Sequence, residues 1–311
     1  MKNNYILALS VLFLLFTFSC KNQPGESEII EYPVDNKPGF TLKLLDRGKE
    51  PRQIIKFNLK EGSKEKGKII SDMEIQNIMN ETQSPVVYMP SIIIPVSSVV
   101  EKVDDNGTAT IKYEVSGVTV GDDQDADPNL IKSLRDLYSK IKLISCTVNV
   151  DKSGSNTKPE CEFVGELEPS ITQSLKETME NFSNNIFIPR EPVGVGAEWE
   201  ISNPDMLSGG ISISFKSTLQ LEKLDGDNAT IKSTTSQFAK EQGVQFPGMQ
   251  TESKLTSLNG SGAGKMDINF HKFLPRGSIK SKTDISMEIK GQSGQITEIQ
   301  TNMAMRVNIT D

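Results

Sequence analysis

Histidine is almost absent: His271 stands alone in 311 residues, beside only three cysteines, Cys20, Cys146 and Cys161. That leaves no His/Cys spacing for zinc and no Cys/His pair for nucleophilic catalysis. A Gly-x-Ser-x-Gly elbow is missing as well. Basic clusters are also lacking, and a net charge of −7 with a pI near 5.1 argues against nucleic acid as a partner and against an electrostatic grip on anionic lipid. Aromatic residues make up 6% of the chain, whereas Ser, Thr, Gly and Ile are plentiful, a composition of strands and turns. No catalytic residue, metal ligand or cofactor is assigned, and the chain is expected not to be an enzyme.

Only one long apolar run is present, and it comes first. Lys2 supplies a short positive region, Tyr5 to Phe18 carries no charge, and Thr17-Phe18-Ser19-Cys20 ends the run with small residues around a cysteine. The run is short for a spanning helix, which needs about 20 apolar residues, and suits an export signal. The tetrapeptide resembles a bacterial lipoprotein box, with Thr17 where the strict pattern has Leu, and looser boxes of this kind are similar to those of spirochaetes. The resemblance implies removal of residues 1–19 and a diacylglyceryl thioether on Cys20, with fatty acyl chains such as palmitate. Two or three chains, each contributing about 0.8 kcal/mol per buried CH₂, make a durable anchor. Lys21 is not the Asp that retains lipoproteins at the inner membrane, so the expected address is the outer membrane, on its periplasmic face or at the cell surface.

Export means an oxidising compartment. If Cys20 is acylated, Cys146 and Cys161 remain as a pair around the turn-rich Asp151-Lys-Ser-Gly-Ser-Asn156, and in a simple hairpin they face each other. The alternative is two free buried thiols.

Along the chain, Lys21 to Pro38 is polar and aperiodic and reads as a flexible tether, leaving 39–311 as a single β-rich domain. Phe40, Leu42 and Leu44 alternate, as do Ile55, Phe57 and Leu59, and then Met73, Ile75 and Met79. Ser91 to Val103 is apolar but interrupted by Pro95, which predicts an edge or bulged strand. Asp104-Asp-Asn-Gly107 is a hairpin turn. Glu101-Lys-Val-Asp-Asp-Asn-Gly-Thr-Ala-Thr-Ile-Lys112 is echoed by Glu222-Lys-Leu-Asp-Gly-Asp-Asn-Ala-Thr-Ile-Lys232, so either two hairpins share turn chemistry or the domain has two related halves. Helices are predicted from Asp127-Pro128, with Leu130, Leu134, Leu137, Tyr138 and Ile141 on one stripe, and from Ser170, with Ile171, Leu175, Met179 and Phe182 on another. From Gly209 almost everything reads as strand, with Gln242 to Ser261 looser. Strands this long predict an α+β fold, mainly antiparallel β, in which a curled sheet forms a half-barrel or open barrel with about two packed helices.

Two motifs fail on inspection. Asp123, Asp125 and Asp127 open like a calcium loop, but Pro128 replaces the sixth-position Gly and Leu134 the twelfth-position Glu. Gly260-Ser-Gly-Ala-Gly-Lys265 has Asn259 and Met266 where a phosphate loop needs Gly and Ser/Thr. His271, between Phe270 and Phe273, reads as a strand-borne surface or packing residue.

Pro189-Arg-Glu-Pro-Val-Gly-Val-Gly-Ala-Glu-Trp199 resembles the Pro-Val-x-Val-Gly-x-x-Trp segment of a family of uncharacterised bacterial exported and lipid-anchored proteins, in which the segment follows a helix and leads into long antiparallel strands. The family carries no activity to transfer. Trp199 is expected either to plug the core or to face a ligand. The reading that results is a membrane-anchored lipoprotein that binds a hydrophobic small molecule, a lipid, or an envelope or host protein. The alternatives are a surface structural or adhesive lipoprotein without internal ligand, and an enzyme whose site is too dispersed to see. If Cys20 carries the anchor, the wild-type protein enters the detergent phase on phase partition and Cys20→Ala moves to the aqueous phase; identical partition of the two overturns the lipid assignment.

Overall fold

The computed structural model describes residues 29–35, 37–157, 159–165, 172, 187–208, 210–244, 252–291 and 295–311. The leader, Cys20 and the second predicted helix, apart from Thr172, lie outside them. In chain order the elements are β1 (Ile30–Pro33), β2 (Thr41–Asp46), β3 (Lys64–Met79), β4 (Thr82–Gln83), β5 (Val87–Val103), β6 (Ala109–Val115) and β7 (Thr119–Val120), then the helix α1 (Pro128–Tyr138). There follow β8 (Ile141–Val150), β9 (Glu160–Gly165), β10 (Glu198–Ser208), β11 (Ile211–Asp225), β12 (Asn228–Ala239), β13 (Gln242–Val244), β14 (Glu252–Asn269), β15 (Arg276–Lys290) and β16 (Ile296–Thr310).

All sixteen strands belong to one antiparallel sheet, whose main path runs β1-β2-β10-β11-β12-β14-β15-β16-β3-β5-β6-β8-β9. This corrects the predicted α+β class. Among the described residues α1 is the one helix whose extent is given, Thr172 being a further helical position, and the sheet is open: β1 and β9 end the path without pairing to each other. Barrel closure needs those two edges to join, and neither is built for it. β1 has four residues and ends on Pro33, while β9 carries Glu160 and Glu162, features that discourage edge pairing.

Two meanders sit side by side along that path, β10-β11-β12-β14-β15 and β3-β5-β6-β8-β9, with β16 between them. The sequence echo extends to their register. In one, Val100, Lys102 and Val103 pair with Ile111, Thr110 and Ala109, skipping Glu101. In the other, Leu221, Lys223 and Leu224 pair with Ile231, Thr230 and Ala229, skipping Glu222. The bulged residue is therefore the same Glu of the echo in both hairpins, and only the turns beyond differ. The first turn relies on Gly107 at φ +82° and the second on Gly226 at φ +57°, conformations that favour glycine.

Pro95 does not mark an edge. β5 is an interior strand, paired with β3 on one side and with β6 and β7 on the other. Its second neighbour is split, β6 ending opposite Val96 and β7 starting opposite Ile93. The proline falls beside that gap, where its missing N–H removes no bond to a second neighbour. Of the looser stretch expected from Gln242 to Ser261, residues 245–251 lie outside the described residues, while Gln242–Val244 form β13 and the part from Glu252 belongs to the 18-residue β14.

The segment read as a tether is partly folded. β1 pairs with β2, and its inward residues Ile30 and Tyr32 pack on the core. The Tyr32 hydroxyl donates to Glu191 Oε2 at 3.1 Å and accepts from the Arg190 amide at 2.9 Å. The Arg190 guanidinium lies over the Tyr32 ring at 4.8 Å and pairs with Asp35. Alternating apolar residues inside a polar stretch had a sheet edge to join, and that outweighs composition.

One apolar cluster gathers residues from β2 at one end of the path and β8 at the other, with Trp199 fully buried at 0% exposure. Helix α1 is capped by Asp127, whose carboxylate accepts from the Asn129 amide at 2.7 Å, and buries Leu130, Ile131, Leu134 and Tyr138. Cys146 and Cys161 are direct cross-strand partners and form a disulfide, 15 residues apart in sequence. The bond ties the edge strand β9 to β8. Closing a loop of that length stabilises by about 3 kcal/mol, so Cys146→Ala/Cys161→Ala should lose about that much in urea denaturation and weaken amide-exchange protection over β9 first; an unchanged midpoint refutes this.

Candidate functional site

Strand alternation puts Ile213, Ser217, Leu219 and Leu221 of β11 on the buried face, together with Ile231, Ser233, Thr235 and Gln237 of β12. The apolar row therefore turns hydroxyl-rich halfway along, although these positions stay buried. Ser217 is opposite Thr235, with Oγ and Oγ1 2.6 Å apart, and Leu219 is opposite Ser233. On the next strand Ser233 meets Gly264. A Cβ at Gly264 would lie 3.0 Å from Ser233 Oγ and 2.8 Å from Ile279 Cγ1, so the glycine leaves the serine room.

In front of this hydroxyl wall is a cavity of about 110 Å³. Its other walls include Ile279 of β15 and Ile309 of β16 on the same side of the path and, from far along it, Tyr113 of β6 and Val150 of β8. Aromatic residues are scarce in this chain, yet Phe57, Tyr113, Phe187, Phe215 and Phe273 all line the space. They pack in pairs, Tyr113 on Phe273 at 6.2 Å between centroids and Phe57 edge-on to Phe270 at 5.7 Å, geometries that rings favour. No charged side chain is among the lining residues.

Two polar atoms on these walls stand out. Tyr113 is 2% exposed and Ser233 4% exposed, and among the described residues neither hydroxyl has a hydrogen-bond partner. Burial pushes the Tyr113 phenol above the ordinary tyrosine range, so it is a neutral donor at any physiological pH. Tyr113 is also the cross-strand partner of Cys146. The row Tyr113, Cys146, Cys161 thus links the disulfide to the cavity wall.

The residues singled out in the sequence fall elsewhere. Trp199 is core: its indole N–H donates to the Phe187 carbonyl at 2.9 Å, and it does not line the cavity, though its bonded partner Phe187 and its neighbour Ile201 do. Cys20 lies outside the described residues. His271 sits in the turn after β14 and not on a strand. Its Nδ1 is 2.9 Å from the Asn58 carbonyl and its Nε2 3.0 Å from Asp227 Oδ2, in the β11–β12 turn. Asp123 is used internally, accepting from the Ser91 amide at 2.7 Å. Gly260 to Lys265 are mid-strand in β14; at Gly260 a Cβ would sit 3.0 Å from Gln237 Oε1, so a neighbouring side chain occupies the space a loop would offer phosphate. Among the described residues no cluster of three metal-ligating side chains occurs. No helix among them is long and apolar enough to cross a membrane.

Residues 169–272 match a family described as of unknown function, DUF6263. The match covers a third of the chain and includes β10, β11 and β12. The hydroxyl wall of the cavity is inside it, and Tyr113 is outside. A comparison with the curated proteins finds no match.

The His271 contacts predict a pH effect. The Asn58 carbonyl and then Asp227 raise its pKa above the ordinary 6.5. A raised folded pKa stabilises below the unfolded value and the contribution fades as pH climbs through the folded one. The imidazole is about a third exposed, so the effect is about 0.5 kcal/mol or less. Urea midpoints measured at pH 5.5 and 8.5 should separate further for wild type than for Asp227→Asn; equal separations count against the ion pair.

Proposed function

We propose that this protein is an exported, lipid-anchored binder of a small apolar molecule, and that it holds this molecule in the cavity between the hydroxyl wall of β11–β12 and Tyr113. The observation that carries the reading is the cavity itself: about 110 Å³, walled by five aromatic rings and aliphatic side chains, with no charge on it. An apolar cavity of roughly 150 Å³ holds benzene, whereas drug-sized ligands need about 300 Å³ or more. At about 110 Å³ the space is smaller than either, so the ligand is at most of single-ring size.

Support for the address comes from the Thr17-Phe18-Ser19-Cys20 box and from the Cys146–Cys161 disulfide, a bond that persists in oxidising compartments. An anchored binder of this kind works where apolar molecules concentrate, at the lipid surface. Its affinity rests on burial of the ligand's own surface, at roughly 25 cal/mol per Å².

Saturating toluene should raise the melting temperature of the full chain carrying Cys20→Ala by several degrees, because a ligand that binds only the folded state stabilises it. Leu219→Phe, which places a ring in the cavity, should abolish that rise while keeping the far-UV spectrum of a β protein. A toluene shift that persists undiminished in Leu219→Phe, or no shift in the parent, removes the cavity as the binding site.

A further inference from the structure

We infer that Phe273, Leu274 and Pro275, in the turn between β14 and β15, are the gate of this cavity, and that the Glu65 carboxylate is the latch that holds the gate shut. This rests on the proposed role of the cavity and adds how its occupant enters and leaves.

Most of the residues that line the space are buried, and the half-buried ones, Phe187, Phe215, Phe273, Pro275 and Ile309, fall into two groups. Phe187 and Phe215 both pack on Phe40, at 5.9 and 6.0 Å between ring centroids. Phe273 and Pro275 belong to the β14–β15 turn, and Ile309 is the cross-strand partner of Gly277, just past that turn. An occupant must pass one group or the other.

The two groups differ in what has to break for them to move. Phe215 lies inside β11, paired with Asn203 of β10 and Gln237 of β12, and the Phe187 carbonyl accepts from the indole of the buried Trp199. The β14–β15 ladder, by contrast, ends at the pair Asp267 and Arg276, so the three turn residues swing without losing a rung of it. They hang between two fixed points. His271 is held by the Asn58 carbonyl and Asp227. Arg276 is held by the ladder and by the Lys66 carbonyl, 2.9 Å from its Nη2, and its Nη1 lies 3.3 Å from the adjacent Leu274 and Pro275 carbonyls.

Between those points the Phe273 and Leu274 amides both donate to one carboxylate, that of Glu65 on β3, at 2.6 and 3.3 Å. Such charge-assisted bonds are roughly twice as strong as neutral ones, and they tie the turn to a strand that contributes nothing to the lining. The Phe273 ring lies against that of Tyr113, 6.2 Å between centroids, and completes the wall. Opening displaces one ring, which suits an occupant no larger than a ring. Glu65 does not line the cavity, so it acts as a positioning residue.

Exchange of fluorobenzene between water and the full chain carrying Cys20→Ala, followed by fluorine NMR, reads the gate. Glu65→Ala should raise the association and dissociation rates together, by about tenfold, and leave Kd unchanged. Glu65→Gln, which keeps an acceptor oxygen but no charge, should give a smaller rise of both, and it supplies the comparison if the alanine variant does not fold. In amide exchange Phe273 and Leu274 should lose protection in Glu65→Ala while the β14–β15 ladder keeps its own. Phe40→Leu loosens the other group without touching the lining and should leave both rates alone. Rates that ignore the Glu65 variants, a rise confined to Phe40→Leu, or a weaker Kd with an unchanged association rate, as a merely structural carboxylate would give, overturns the inference and leaves the cavity reading intact. No binding by the parent chain overturns both.

Discussion

A sheet with one apolar face must hide that face, and in this protein no second layer of helices is there to do it among the described residues. α1 alone packs on the sheet, near β5 and β7. Strands from separate parts of the path therefore bury one another's inner residues, Leu42 and Trp199 from one region sharing a cluster with Ile111 and Val148 from another. The cavity follows from that constraint. Where the opposed inner faces are filled by Leu, Ile and Val they close up, and where β12 turns from Ile231 to Ser233 and Thr235 they leave a gap.

Edge protection and site construction share parts. The disulfide fastens β9, the last strand of the path, to β8, and the same row carries Tyr113. At the opposite end β1 is pinned by the Tyr32, Arg190 and Asp35 group, next to the Phe187 segment that lines the cavity and receives the Trp199 indole. Residues that hold the sheet edges in place thus also fix two of the cavity walls.

Much of the strand pattern was legible before any coordinates. Alternation located β2 and β3, Asn106-Gly107 and the echoed Gly226 segment marked the β5–β6 and β11–β12 turns, Asp127-Pro128 opened the helix, and the spacing of Cys146 and Cys161 around a turn gave the cross-strand pair. Errors arose where local signals met a tertiary requirement. Pro95 suggested an edge or a bulged strand; β5 is bulged, at Glu101 and between Met89 and Ile92, but it is no edge, because the split between β6 and β7 lets the proline sit inside the sheet. The polar run before Pro38 looked like a tether, but Ile30 and Tyr32 had an edge to join. The half-barrel or open barrel with about two packed helices was inferred from strand length and a capping spacing; the sheet is an open, almost wholly antiparallel one, and the second helix, apart from Thr172, lies outside the described residues.

What the amino-acid order determined by itself is what depends on neighbours a few residues apart: period-two burial, turn and cap chemistry, the echo of Glu101–Lys112 in Glu222–Lys232, and an acidic chain poor in histidine and cysteine. The site was hidden because its signal is non-local. Ser217, Ser233 and Thr235 look like ordinary solvent-facing positions on strands whose other face is also polar, and Tyr113 looks like one more core aromatic. Only the folding of two meanders toward each other, across more than a hundred residues of sequence, brings those residues to one cavity wall and leaves two of their hydroxyls buried without a bond among the described residues.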